Sequence, residues 1–295
     1  MADFSRRGFR TDRPDARAIL EGHARSFLTG FNLAVAHWRD PHPALATIAE
    51  EERGFAYEGA AMFARLIDIT TLGRSRALAR LLAGHGQCYV HLIHVGAGWP
   101  FGLLRLRLPV AVPATPLVRW LALDGAGFAE AFFGGWQVVV RRCVAGPDER
   151  AEARYGGYGR ALWFIEAGDV DGIARRVAAL PTRARAPVWS GVGLACAYAG
   201  ATDDVGRRRL SQASGDYRQH FAQGLVFAAG ARARAAIIPT HTERACRQLL
   251  QVDATEAASL SDVTARGLTS RGDIAAYLNW RTRIRESLST IVTHD

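Results

Sequence analysis

The 295-residue chain contains no lysine; all 37 of its cationic residues are arginine. That absence removes Schiff-base catalysis by a lysine amine, and with it pyridoxal-phosphate chemistry, and it removes the lysine of a phosphate-binding P-loop. Cysteine is scarce as well: Cys88, Cys143, Cys196 and Cys246 lie far apart and form no Cys-x-x-Cys pair. They read as separate buried thiols in a reducing compartment, not as a zinc site or a disulfide framework. No run approaches the roughly 20 apolar residues that cross a bilayer. The basic opening segment is not followed by the apolar stretch of a secretory leader. The expectation is a cytoplasmic protein without membrane contact. Serine elbows of the Gly-x-Ser-x-Gly kind, His-Glu-x-x-His and paired-aspartate metal motifs are also missing.

What is present is a globular composition, 49% hydrophobic and 22% charged. The net charge of +9 would ordinarily favour nucleic acid. Here the arginines are scattered through predicted helices and accompany high alanine and glycine, as in a GC-rich coding bias, so no nucleic-acid partner is expected. Apolar residues at helical spacing predict helices over residues 16–38, 44–53, 54–69, 74–82 and 117–133, and a final amphipathic helix over 270–288. Pro100 should start, break or kink the helix that carries it. Three prolines make residues 104–116 an extended connector, Trp136–Val144 is β-branched enough for a short strand, and residues 145–159 have the composition of a linker.

Beyond that linker the pattern returns. Gly22-His-Ala-Arg25 aligns with Gly157-Tyr-Gly-Arg160, and Tyr57-Glu58-Gly59 with Trp189-Ser190-Gly191. His94, Gly98 and Phe101 align with His220, Gly224 and Phe227, and Leu121-Ala-Leu-Asp124 with Leu250-Gln-Val-Asp253. The offsets are 135, 132, 126 and 129 residues in unbroken order. They predict a mainly α, internally duplicated helical fold of two pseudo-twofold-related halves, residues 21–145 and 146–268, with a short β-like connector. A basic N-terminal arm (1–20) precedes them and a C-terminal helix (269–295) follows, all in one compact domain. A pocket between the halves is the natural place for a site.

Gly96-Ala-Gly98-Trp-Pro-Phe-Gly102 superficially suggests a dinucleotide-binding turn, but its third glycine comes one residue late and no βαβ unit surrounds it. Close helix packing is the better reading. Cys88, His91 and His94 fall at i, i+3 and i+6 without a fourth ligand, so no metal is expected. His94, with its counterpart His220, has the chemistry of a proton shuttle or of a hydrogen-bonded interface histidine. Glu58 sits in an otherwise apolar run, where a carboxylate is costly unless it is paired or used. Its partner would be Arg25 or Arg65, and a structural ion pair and a catalytic role stay open. Asp124 follows the same logic, with a helix cap as the alternative. Glu58, His94 and Asp124 are the candidate catalytic groups. Tyr57, Trp99, Trp163 and Trp189 would line the pocket with flat polarisable rings. His220 and Gln223 complete the candidate binding set.

At these residues the chain resembles the UnbL-type proteins encoded with enediyne polyketide synthases. The resemblance rests on Phe27-Leu-Thr-Gly-Phe31, Gly54-Phe-Ala-Tyr-Glu-Gly-Ala-Ala-Met62, His94-Val-Gly-Ala-Gly-Trp99, Leu121-Ala-Leu-Asp-Gly125, Gly159-Arg-Ala-Leu-Trp163, Trp189-Ser-Gly-Val-Gly-Leu-Ala195 and Ala222-Gln-Gly224. These blocks span most of residues 20–235. Pro100 stands where the family pattern has alanine. The resemblance implies a part in maturing an enediyne or related polyketide, and it assigns no catalytic residue. The leading expectation is a cofactor-independent enzyme, cyclase- or isomerase-like, acting on a polyene- or enediyne-derived intermediate. The alternative is a non-enzymatic protein that sequesters the ligand or serves as a scaffold for the polyketide synthase.

Overall fold

The structure, a computed structural model, describes residues 2–104, 115–144 and 149–292. Among these residues the chain is helical and contains no strand. Nine helices organise it: α1 (Pro14–Ala36), α2 (Glu50–Thr70), α3 (Val90–Leu104), α4 (Leu121–Gly134), α5 (Glu149–Ile165), α6 (Thr182–Ala199), α7 (Arg218–Arg234), α8 (Ala254–Ala265) and α9 (Ile274–Val292). Local signals set several starts. Pro14 occupies the first turn of α1, where its missing N–H costs nothing. Glu50, Glu51 and Glu52 place three carboxylates at the positive end of α2.

Glycine decides how the helices pack. In α3, α4, α5 and α6 a Gly-x-Gly pair sits mid-helix: Gly96 and Gly98, Gly125 and Gly127, Gly157 and Gly159, Gly191 and Gly193. Residues two apart on a helix point to roughly opposite sides. The first glycine of each pair lies against a backbone carbonyl of the preceding helix: Glu58, Val95, Asp124 and Gly156 in turn, and Gly224 of α7 repeats this on Ser190. The second lies against the following helix, on the carbonyls of Ala122, Arg154, Val188 and Phe221. A Cβ at any of these glycines would collide with backbone. A forward step along one helix matches a backward step along the next, so successive helices are antiparallel. The register recurs from Gly59 through Gly96, Gly125, Gly157, Gly191 and Gly224, steps of 37, 29, 32, 34 and 33 residues.

The result is one continuous row, α1 to α7, extended by α8 behind α7. The row curls until its ends meet. His23 of α1 bonds the carbonyl of Ala199 at the end of α6 (2.9 Å), and Arg232 of α7 donates to the carbonyl of Glu51 in α2 (2.7 Å). One large apolar core runs through this ring, and a second, smaller cluster around Tyr57, Tyr89 and Ile93 lies outside it.

Several expectations need correction. Trp136–Val144 is a helix, because Trp136, Val139 and Cys143 recur at helical spacing and bury one face, overriding their β propensity. Residues 149–159 belong to α5 and not to a linker, since their glycines are helix-contact surfaces. Helix α3 continues through Pro100. The opening arm is draped and well anchored. Phe4 and Phe9 are buried, and the Arg7 guanidinium lies over the rings of Phe132 and Phe133 while donating to the Phe132 carbonyl. Of the expected extended connector, residues 105–114 lie outside the described residues, as do residues 145–148 of the expected linker.

Candidate functional site

Inside the ring, α2, α3, α4 and α5 each turn one polar or indole group to the same level. Glu58, Asp124 and Arg160 are all at least nine-tenths buried, and so is Trp99. The Trp99 indole Nε1–H donates to Glu58 Oε1 (2.9 Å), and Arg160 Nη2 reaches the same oxygen at 3.4 Å. Arg160 Nε lies 2.9 Å from Asp124 Oδ1, a close ion pair without the alignment of a linear hydrogen bond. The guanidinium also lies over the ring of Phe128, 4.9 Å from its centroid. One cation thus serves two carboxylates, and Asp124 holds the shorter contact.

Electrostatics separates their roles. Burial raises the Glu58 carboxyl above its usual range, and the nearby Asp124 charge adds to that; Arg160 and the Trp99 donor oppose it. Asp124 is also raised by burial, against the pull of Arg160 and Arg281. For Arg160 burial works against the charge, but the two carboxylates outweigh it and hold the guanidinium above its ordinary value. The permanent charge therefore sits on Arg160. Glu58, with the weaker ion pair, is the carboxyl poised to carry a proton.

Glu58 and Arg160 form part of the wall of an interior cavity of about 40 Å³. The rest is largely aromatic: Phe27, Phe55, Phe128, Phe132 and Phe164, with the Trp99 indole. Phe27 stacks on Trp99 with 4.3 Å between centroids. The cavity draws on six successive helices, from both the 21–145 and the 146–268 stretches. Its volume holds a few waters and is well below the several hundred Å³ of a drug-sized ligand site.

The structure brings together only some of the sequence-predicted residues. Glu58, Asp124 and Trp99 meet. Tyr57 points the other way from α2, stacked on Tyr89 (4.2 Å) and bonded to His42 Nδ1 (2.9 Å). His94 is fully buried against Thr115, with its pKa pushed down to about 4 by burial, and it does not line the cavity. Trp163 donates to the Gly200 carbonyl (3.1 Å), and Trp189 packs edge-on to Phe221. His220 and Gln223 belong to a second polar cluster on α7. There Gln223 bonds Ser190 Oγ (3.1 Å) and accepts from Arg285, and His220 is lowered to about 4 by burial and the charges of Arg285 and Arg281. Among the described residues no three potential ligands gather for a metal.

The partner of Glu58 is Arg160 and not the expected Arg25 or Arg65. Arg25 is exposed, and Arg65 lies over the Phe101 ring (5.1 Å). One signal for Arg160 existed in the sequence. It stands three residues after the first glycine of the Gly-x-Gly pair in its helix, as Trp99 and Phe128 do in theirs.

The architecture defines a class: an all-helical ring of glycine-packed antiparallel helices around a small aromatic cavity with a buried acid–arginine–acid cluster. Residues 1–288 match the family described as "protein of unknown function (DUF1702)", and the chain belongs to that family. No curated protein and no solved structure matches it. Among the described residues no helix is long and apolar enough to cross a membrane.

Proposed function

We propose that the chain takes part in maturing an enediyne or related polyketide, as a cofactor-independent enzyme that acts on a conjugated intermediate held in the aromatic cavity. One observation carries the chemistry: a carboxyl held toward its neutral form on the wall of an apolar, aromatic hollow, with a fixed cation behind it. In its protonated form Glu58 gives a proton to one carbon of the conjugated system. The resulting carboxylate, held by Trp99 Nε1–H and Arg160, removes a proton from another carbon. Double bonds shift with no redox step and no net proton uptake. Asp124 positions Arg160. The aromatic faces favour both a flat unsaturated ligand and the positive charge that develops on it. The partner is the small-molecule intermediate, delivered by the polyketide synthase in the cytoplasm.

Purification from a producing strain followed by native mass spectrometry tests the reading. A bound conjugated small molecule is expected, and Glu58→Gln should bind it unconverted. Normal conversion by Glu58→Gln sinks the catalytic assignment. The small volume favours a second reading, a non-catalytic protein that sequesters the ligand; it predicts binding without conversion in the unsubstituted protein too. We further infer that the 126–135-residue offsets, the basis for two duplicated halves, are four steps of the single-helix register: Gly59 to Gly191 is 132 residues and Gly96 to Gly224 is 128.

A further inference from the structure

A groove of about 1000 Å³ runs along the N-terminal half of α1 and the turn that follows α6. Its walls are mixed, with Arg13, Arg25, Glu51, Asp203 and His241 beside the apolar Pro14, Ala18 and Ile19. It shares two wall residues, His23 and Ala199, with the interior cavity. His23, with Ala199, thus stands between a wide surface groove and a narrow interior cavity.

The partition is a bonded cross-link between three helices. His23 Nδ1 is 2.8 Å from Glu52 Oε1 on α2, and Nε2 is 2.9 Å from the Ala199 carbonyl at the end of α6. Both ring nitrogens face oxygen atoms, one on each of the two neighbouring helices. The imidazole also stacks on Phe55, itself a cavity-wall residue, with 4.3 Å between centroids. Just beyond Ala199 the backbone turns through Gly200 and Ala201, with φ of 65° and 70°. The His23 side chain takes no part in the glycine contacts that set the helix register.

We propose that the groove and the cavity are two compartments of one binding site, separated by the His23–Glu52 pair, for an elongated ligand with an unsaturated apolar body and a polar head that stays in the groove. This rests on the cavity reading above. It accounts for a mismatch in that reading: about 40 Å³ does not take a polyketide-sized body unless the partition opens. A purely structural role for His23 is the competing account, because side chains hold every one of the last carbonyls here. Thr242 holds Ala197, Arg232 and His241 hold Tyr198, and Trp163 holds Gly200. Of these donors only His23 is on both walls.

The test uses the full chain and cis-parinaric acid, a conjugated tetraene fatty acid that fluoresces in apolar surroundings, followed by stopped flow. His23→Ala should associate and dissociate at least tenfold faster than the unsubstituted protein, with little change in Kd, since a door changes rates and not the bound state. Glu52→Gln, which keeps the shape and weakens the pair, should move both rates the same way by less and serves if His23→Ala does not fold. Trp163→Phe removes a neighbouring carbonyl donor without touching the groove, and should leave the rates alone. Equal rates in His23→Ala, Glu52→Gln and Trp163→Phe overturn the partition and leave His23 a helix cap. Saturable binding with unchanged rates spares the cavity reading; no binding by any folded variant or by the unsubstituted protein removes both.

Discussion

At the residue scale the site turns on a charge imbalance, two buried carboxylates sharing Arg160. Removing the cation should therefore hurt more than removing either acid. Arg160→Met is expected to lower stability by roughly 3–5 kcal/mol in urea denaturation at neutral pH, the usual result of stranding buried charge. Adding Glu58→Gln and Asp124→Asn should recover part of that loss, because the two carboxylates stranded by the missing cation are neutralised, although Asp124→Asn also takes a counter-charge from buried Arg281. Additive losses across the three substitutions would mean that the cluster is not coupled. The acids were legible in the sequence, because a lone carboxylate in an apolar run stands out. The cation does not stand out by type, since any of 37 arginines qualifies, and only its place three residues after Gly157 marks it. Tyr57 was misplaced for a simpler reason: it adjoins Glu58 on a helix, and adjacent residues point about 100° apart. His94 lies outside the cavity wall for a comparable reason, set on another face of α3 from Trp99.

At the scale of the element, glycine carries the fold, and the same substitution should have opposite effects at two sites. Gly157→Ala drives a Cβ into the Asp124 carbonyl and the Phe128 amide, both backbone. Helices α4 and α5 must separate, at a cost of about 1–3 kcal/mol or more. Gly22→Ala, on α1, meets only the Arg25 guanidinium at 3.8 Å and should stabilise by about 0.4–1 kcal/mol through helix propensity. Thermal denaturation of the two variants reads both signs; equal and small effects would remove the glycine register as the packing device. Helical periodicity exposed α1, α2, α4 and α9, but it is weak in α3, α6 and α7, where small and apolar residues are buried on more than one side. Composition misleads at 149–159 and 136–144, where the face that each residue occupies, and not its type alone, decides the structure. Glycine in α5 marks close helix contact and not flexibility, since a Cβ at Gly157 or Gly159 would meet backbone of the neighbouring helices.

At the scale of the whole molecule, stability should depend on histidine neutrality. Burial lowers His91 to about 3 and His94, His220 and His241 to about 4, each from an ordinary value of 6.5. Between 6.5 and 4 the unfolded chain binds more protons at these sites than the folded one, so acidification favours unfolding. His94, with no exposed surface, should alone contribute about 2 kcal/mol of lost stability at pH 5. Glu58 and Asp124 work in the opposite sense. Their folded values are raised, so the penalty for burying them charged is relieved as pH falls. Four histidines against two acids predict a net decline from pH 7 to pH 5. Urea midpoints across that range at constant ionic strength should fall. His94→Gln, which keeps a partner for Thr115, should flatten the slope by up to one proton, about 1.4 kcal/mol per pH unit. Glu58→Gln should steepen the decline, because it removes a group that gains on acidification. A profile unchanged by His94→Gln would mean that the imidazole is already charged inside the fold, and the Thr115 contact would then have to be a hydrogen bond donated by the ring.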